Sequence, residues 1–100
     1  MPKYVVTYHG PGSPKPDEMQ EAMAAFGAWL AANGSVVTDP GAPCRPVDQV
    51  ASGTPEPMAA IGGYSILDGS LEDVLSALST HPFVVRGGTL QLNEAVVLPS

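Results

Sequence analysis

Few residues in this chain can move protons near neutral pH. The sequence has two histidines, His9 and His81, among ten carboxylates. An imidazole is the side chain best suited to general acid–base work, and a neighbouring carboxylate can orient it. His9 closes an apolar segment just before Gly10-Pro11-Gly12. His81 follows an amphipathic stretch and stands before Pro82, where the C-terminal dipole of a helix would favour the imidazolium. Asp39 opens Asp39-Pro40-Gly41, a spacing that serves equally to orient an imidazole and to start a turn. The chemistry these three imply is proton transfer, with His81 as acid–base group and His9 or Asp39 assisting. Tyr8, Met23, Trp29 and Tyr64 are the side chains that would line a pocket for a ring-shaped ligand, with core packing as their alternative role. Cys44 beside Arg45 has no histidine near it in sequence and reads as a loop thiol. Neither His-x-His nor His-x-x-x-His spacing occurs, so no metal is expected. Gly10-Pro11-Gly12 and Gly87-Gly88 lack the lysine and hydroxyl of a phosphate loop and read as turns, so no cofactor is expected.

The elements that must position these groups belong to one domain. The chain has 100 residues, 44% of them hydrophobic and 14% charged, with a net charge of −6. That balance describes a folded protein, and its sign argues against a phosphate-backbone partner. One cysteine cannot form an internal disulfide, and no basic start leads into an apolar secretion segment, so a reducing, cytoplasmic setting is expected. The uncharged run from Ala22 to Thr38 contains Asn33-Gly34 and follows Asp17, Glu18 and Glu21, so it reads as a helix and a strand, with no membrane partner.

Lys3 to His9, β-branched and aromatic, predicts a strand. Met19, Ala22, Met23, Phe26 and Leu30 form a helical apolar stripe with Trp29 at its margin, and Asn33-Gly34 predicts a left-handed stop. Ser35 to Thr38 predicts a short strand, followed by a proline-rich loop from Asp39 to Pro57 in which Val47 to Ala51 could add a brief one. Ile61 to Leu67 predicts the next strand, with Gly62-Gly63 weakening its start or marking a bulge. Ser70 caps a second helix with Asp73 three residues on and a stripe of Leu71, Val74, Leu75 and Leu78, ended by Pro82. Thr89 to Leu98 predicts the last strand.

This order, strand, helix, strand, strand, helix, strand, is the split βαβ arrangement of an α+β, ferredoxin-like fold with an antiparallel sheet. Strands one and two then run one way and strands three and four the other. The ends of strand one, strand two and helix two fall at one rim, which brings His9, Asp39 and His81 together. Helices cover only one face of such a sheet, yet both faces of strand one are substantially apolar. In the last strand Glu94 sits in a row with Leu90, Leu92, Val96 and Leu98, a costly place for an unpaired carboxylate. A homodimer packed face against face would cover the apolar rows and enclose a cavity into which Glu94 points.

Gly62-Gly63-Tyr64-Ser65-Ile66-Leu67-Asp68, then Leu71-Glu72-Asp73, His81-Pro82-Phe83 and Gly87-Gly88, resemble the YCII-related family. Tyr8-His9-Gly10-Pro11, a first helix with Trp29, and Asp39-Pro40-Gly41-Ala42-Pro43 extend the likeness over nearly the whole chain. The resemblance implies a dimeric α/β barrel with a cleft in each protomer and chemistry on small cyclic compounds. It also implies a histidine on the first helix paired with an aspartate before the proline that ends the second. Here His81 stands at the aspartate's place and Met23 near the histidine's, so that pair does not transfer. The functional expectation is a small-metabolite-binding homodimer carrying out isomerisation or elimination, and the alternative is a non-catalytic dimeric module with a vestigial cleft.

Overall fold

The structure is a computed structural model describing residues 2–99. Its elements are β1 (Lys3–His9), a 3-10 turn (Pro16–Glu18), α1 (Met19–Asn33), β2 (Val37–Pro43), β3 (Gly63–Asp68), α2 (Leu71–Ser79), α3 (Pro82–Val85) and β4 (Thr89–Glu94). The sheet order is β2-β3-β1-β4, and every pairing is antiparallel. That is the expected α+β, ferredoxin-like topology, with the first and third strands central. Among the described residues no helix is long and apolar enough to cross a membrane.

Strand alternation divides the sheet into two faces. Tyr4 and Val6 of β1, Leu67 of β3, Trp29 of α1, and Val74 and Leu78 of α2 form the buried core on the helix side. Trp29 anchors α1 to α2 by donating its indole N–H to the Ala77 carbonyl at 2.8 Å. Ser70 caps α2 as expected, accepting the Asp73 amide at 3.1 Å. Val5, opposite Ile66 and Asn93, lies on the face that no helix covers.

Several boundaries differ from the sequence reading, each for a local reason. The end of α1 has no left-handed residue: Gly34 has φ −58°, and the Asn33 side chain satisfies the last turn by donating to the Trp29 carbonyl at 2.9 Å. The second strand runs on through Asp39-Pro40-Gly41 because register shifts on both sides of Asp39 absorb the proline. Val47 to Ala51 form no strand and are exposed. The last strand stops at Glu94 because its partner Tyr4 is the final paired residue there, and the Ala95 amide closes the end on the Lys3 carbonyl.

Candidate active-site cleft

Tyr8 is the last residue of β1 whose register position faces the helices, and its hydroxyl reaches the elements that cross above the sheet. It lies 2.6 Å from Ser65 Oγ on β3 and 3.0 Å from His81 Nε2. Ser65 donates to the Pro40 carbonyl at 2.9 Å, which uses its only proton. The Phe83 amide donates to His81 Nδ1 at 3.0 Å, so in the neutral ring the proton resides on Nε2. One direction satisfies every group: His81 Nε2–H donates to the Tyr8 oxygen, Tyr8 O–H to Ser65 Oγ, and Ser65 O–H to Pro40. Among the described residues no buried side-chain nitrogen or oxygen lacks a partner.

His81 is placed differently from the sequence expectation. Pro82 does not simply end a helix; it begins the short α3, and His81 is the N-cap of α3. Its acceptor nitrogen therefore meets an amide N–H, the reverse of the carbonyls expected at a helix C-terminus. The ring is buried among Trp29, Phe26 and Tyr8, with centroid distances of 4.4, 5.7 and 5.2 Å. Burial, reinforced by the nearby Arg86 charge, lowers its pKa from 6.5 to about 4. His81 is thus a neutral structural donor at neutral pH. Burial also raises the pKa of Tyr8, with the Ser65 hydrogen bond opposing in part, so Tyr8 carries its proton there as well.

Tyr8 and His81 form one wall of a cleft of about 470 Å³. Met19, Ala22, Met23, Phe26 and Gly27 supply the α1 side, Pro40 to Pro43 with Gly62, Gly63 and Tyr64 the sheet edge, and Phe83 and Arg86 the α3 side. This explains why the N-terminal part of the α1 stripe is not core: Met19 and Met23 remain 48% and 69% exposed because they border the cleft. The volume falls within the range of small-molecule sites, about 300–1,000 Å³.

The expected meeting of His9, Asp39 and His81 does not occur. His9 alternates with Tyr8 and so occupies the opposite face, where its Nε2 lies 2.7 Å from Thr7 Oγ1. Asp39 shares a register position with Ile66, also on that face, and accepts the Gly41 amide at 2.8 Å. Asp39 reaches the site only through the backbone: its turn holds Pro40, whose carbonyl ends the Tyr8 chain. Of the other expected lining residues, Tyr8 and Met23 line the cleft; Tyr64 borders it from β3, but its register position opposite Thr7 is on the other face of the sheet, and Trp29 is buried behind the cleft in the core. Leu90 and Leu92 pack on the helix-side core, and Glu94 is exposed at the strand end, so among the described residues no buried carboxylate faces the open side of the sheet. Ser65 and Arg86 were missed. A lone serine within the Gly63–Asp68 strand gives no sequence signal of its own, while Arg86, one of four cations in the chain, offered a modest one. Among the described residues no group of three His, Cys, Asp or Glu side chains is arranged to hold a metal.

No protein-family model matches the chain, and none of the curated proteins matches it. Among solved structures, the chain is similar to 5-chloro-2-hydroxyhydroquinone dehydrochlorinase from Burkholderia phenoliruptrix in complex with 2,5-dihydroxybenzoquinone. The two share 19% identity over 91% of each chain with a TM-score of 0.50, a likeness of fold.

Proposed function

We propose that the chain is a small-metabolite-binding homodimer whose cleft takes a compact ring compound and promotes proton transfer on it, as isomerisation or elimination. The observation that carries this reading is the Tyr8 hydroxyl, oriented by His81 and Ser65 on the wall of a cleft lined mainly by apolar side chains. Such a wall of aromatic and thioether side chains with one directed hydroxyl suits a flat, oxygenated ring. The similar solved enzyme is a dehydrochlorinase holding a molecule of that shape, which agrees with the same ligand class.

Tyr8 acts in this reading as the proton donor and His81 as the residue that positions it. Turning the Tyr8 O–H from Ser65 toward the ligand lets the proton pass to the carbon of an enolate that the ligand already carries, giving the keto form, and in the reverse step the phenolate takes a ring proton back. The O–H bond breaks and its electron pair stays on Tyr8 as phenolate. His81 Nε2–H already donates to that oxygen, and Ser65 can turn its hydroxyl from Pro40 to donate too. Water then returns the proton. The raised pKa keeps Tyr8 protonated at neutral pH, so it enters the step as the donor, toward a centre at least as basic as its own phenolate. His9 and Asp39, on the other face, take no part in this step.

Hydroxylated quinones and cyclic 1,3-diketones at millimolar concentration provide the test. Binders are expected to raise the melting temperature. In D₂O the protein should then speed deuterium uptake at their ring carbons. Tyr8→Phe should abolish that exchange and weaken binding about tenfold, in line with one lost hydrogen bond of about 1.5 kcal/mol. No thermal shift from any member would overturn the reading. Binding without exchange would establish the second reading, a non-catalytic module, which is favoured by the engagement of both His81 nitrogens. Sedimentation equilibrium checks the dimer, proposed to form through the open face bearing Val5 and Ile66; a monomer removes that part.

A further inference from the structure

We infer that Arg86 is the specificity-determining residue of the cleft and that the ligand is an anion, a ring bearing a carboxylate or an ionised enol or phenol oxygen. The inference rests on the cleft reading above and adds the charge of what enters. Arg86 lines the cleft, and its Nε donates to the Gly12 carbonyl at 2.7 Å. That bond fixes the plane of the guanidinium while leaving the Nη groups with no hydrogen bond among the described residues. Among the described residues no Asp or Glu lines the cleft. Although the chain has ten acids and four cations, this cation has no carboxylate partner in the cleft among the described residues.

The arrangement is built by close packing. Gly12 is buried, and a Cβ there would lie 2.7 Å from the Phe83 ring, so only glycine lets this loop approach α3 closely enough for its carbonyl to reach Arg86. The net charge of −6 repels anions at long range, so attraction must come from a local, oriented donor. A guanidinium held by one edge presents its remaining N–H groups to an oxyanion in a fixed geometry, a task for which lysine is a poor replacement. Arg86 is the C-cap of the four-residue α3 and His81 its N-cap, so one turn of helix separates the arginine from the imidazole that holds Tyr8, and both border the cleft. A ring anchored through its oxyanion at Arg86 would thereby have an edge within reach of the Tyr8 hydroxyl.

The test is calorimetric, with two probes that share one ring. 2,5-Dihydroxybenzoquinone is ionised at neutral pH, while 2,5-dimethoxybenzoquinone has no acidic hydroxyl. Wild-type protein should bind the first at least about tenfold more tightly, the order of one charge-assisted hydrogen bond. Arg86→Gln should remove that preference by weakening the first probe alone, and Arg86→Lys should restore only part of it. A merely structural role would weaken both probes alike and leave their ratio unchanged, which overturns the anchor while the cleft stands. Equal wild-type affinities overturn it without any variant, so a poorly folded Arg86→Gln protein does not protect the idea. If neither probe binds wild-type protein, the cleft reading fails and the anchor fails with it.

Discussion

Replacing Gly41 by alanine should destabilise the protein by about 3–5 kcal/mol, a large share of the roughly 5–15 kcal/mol that holds a domain of this size. Two costs combine. Gly41 has φ +74°, a conformation that penalises a side chain by about 1–3 kcal/mol. The added Cβ would also overlap the Tyr64 carbonyl oxygen on the adjacent strand, a rigid obstacle, where overpacking costs about 1–3 kcal/mol or more. Gly10 separates the two. Its φ is +86°, but nothing lies within 4 Å of a Cβ there, so Gly10→Ala should show the conformational cost alone. Urea midpoints of both variants decide the matter, and equal losses would show that the close approach of β2 to β3 is not as described. The consequence reaches the site, because the displaced turn carries the Pro40 carbonyl that accepts from Ser65. Gly41→Ala should therefore also weaken ring-compound binding through Tyr8, even where the protein remains folded.

The dependence of the site on that turn explains how far residue patterns alone could lead. Periodicity and turn chemistry were enough for the fold: the β-branched run ending at His9, the capped α2 and the order of elements fix an antiparallel sheet with β1 and β3 at its centre. They were also enough to bring the ends of β1, β2 and α2 to one rim. Which face of the sheet a rim residue takes is a matter of phase. Tyr8 and His9 are neighbours in sequence, and a one-residue step sends one to the cleft and the other to the open face. Asp39 was harder, because the register shifts around it are caused by Pro40 and Gly41 acting across β3. His81 was misread since proline both ends α2 and starts α3, and four residues of helix leave no periodic trace. The cleft itself was concealed within the α1 stripe, where Met19 and Met23 have the spacing of core residues but border a hollow. Composition says how much apolar surface exists and leaves open which part of it faces an empty volume.

His81 provides the second large effect, a loss of stability as the solution is acidified. Its pKa is about 4 in the folded protein, against an ordinary value of 6.5 in the unfolded chain. Between those values the unfolded state binds the proton and the folded state does not, so stability rises with pH. The contribution is fully present above about pH 6.5 and is lost as pH falls toward 4, a change of about 3 kcal/mol at 1.36 kcal/mol per unit. The structural cause is specific: a proton added at Nδ1 would face the Phe83 N–H, turning an acceptor into a second donor inside an aromatic enclosure. His81→Asn isolates the effect. Asparagine can still cap α3 by accepting the Phe83 amide, and it does not titrate. The variant should be less stable at pH 7, having lost the bond to Tyr8, yet its unfolding free energy should vary less with pH between 6.5 and 4. Subtracting the two curves removes the contributions of carboxylates common to both proteins. A difference that grows by about 3 kcal/mol from pH 4 to pH 7 is expected, whereas parallel curves would mean that His81 protonates as readily in the folded chain as outside it. In that event the ring could not be the fixed Nε2–H donor that holds Tyr8, and the hydroxyl at the heart of the proposed chemistry would lose its orientation.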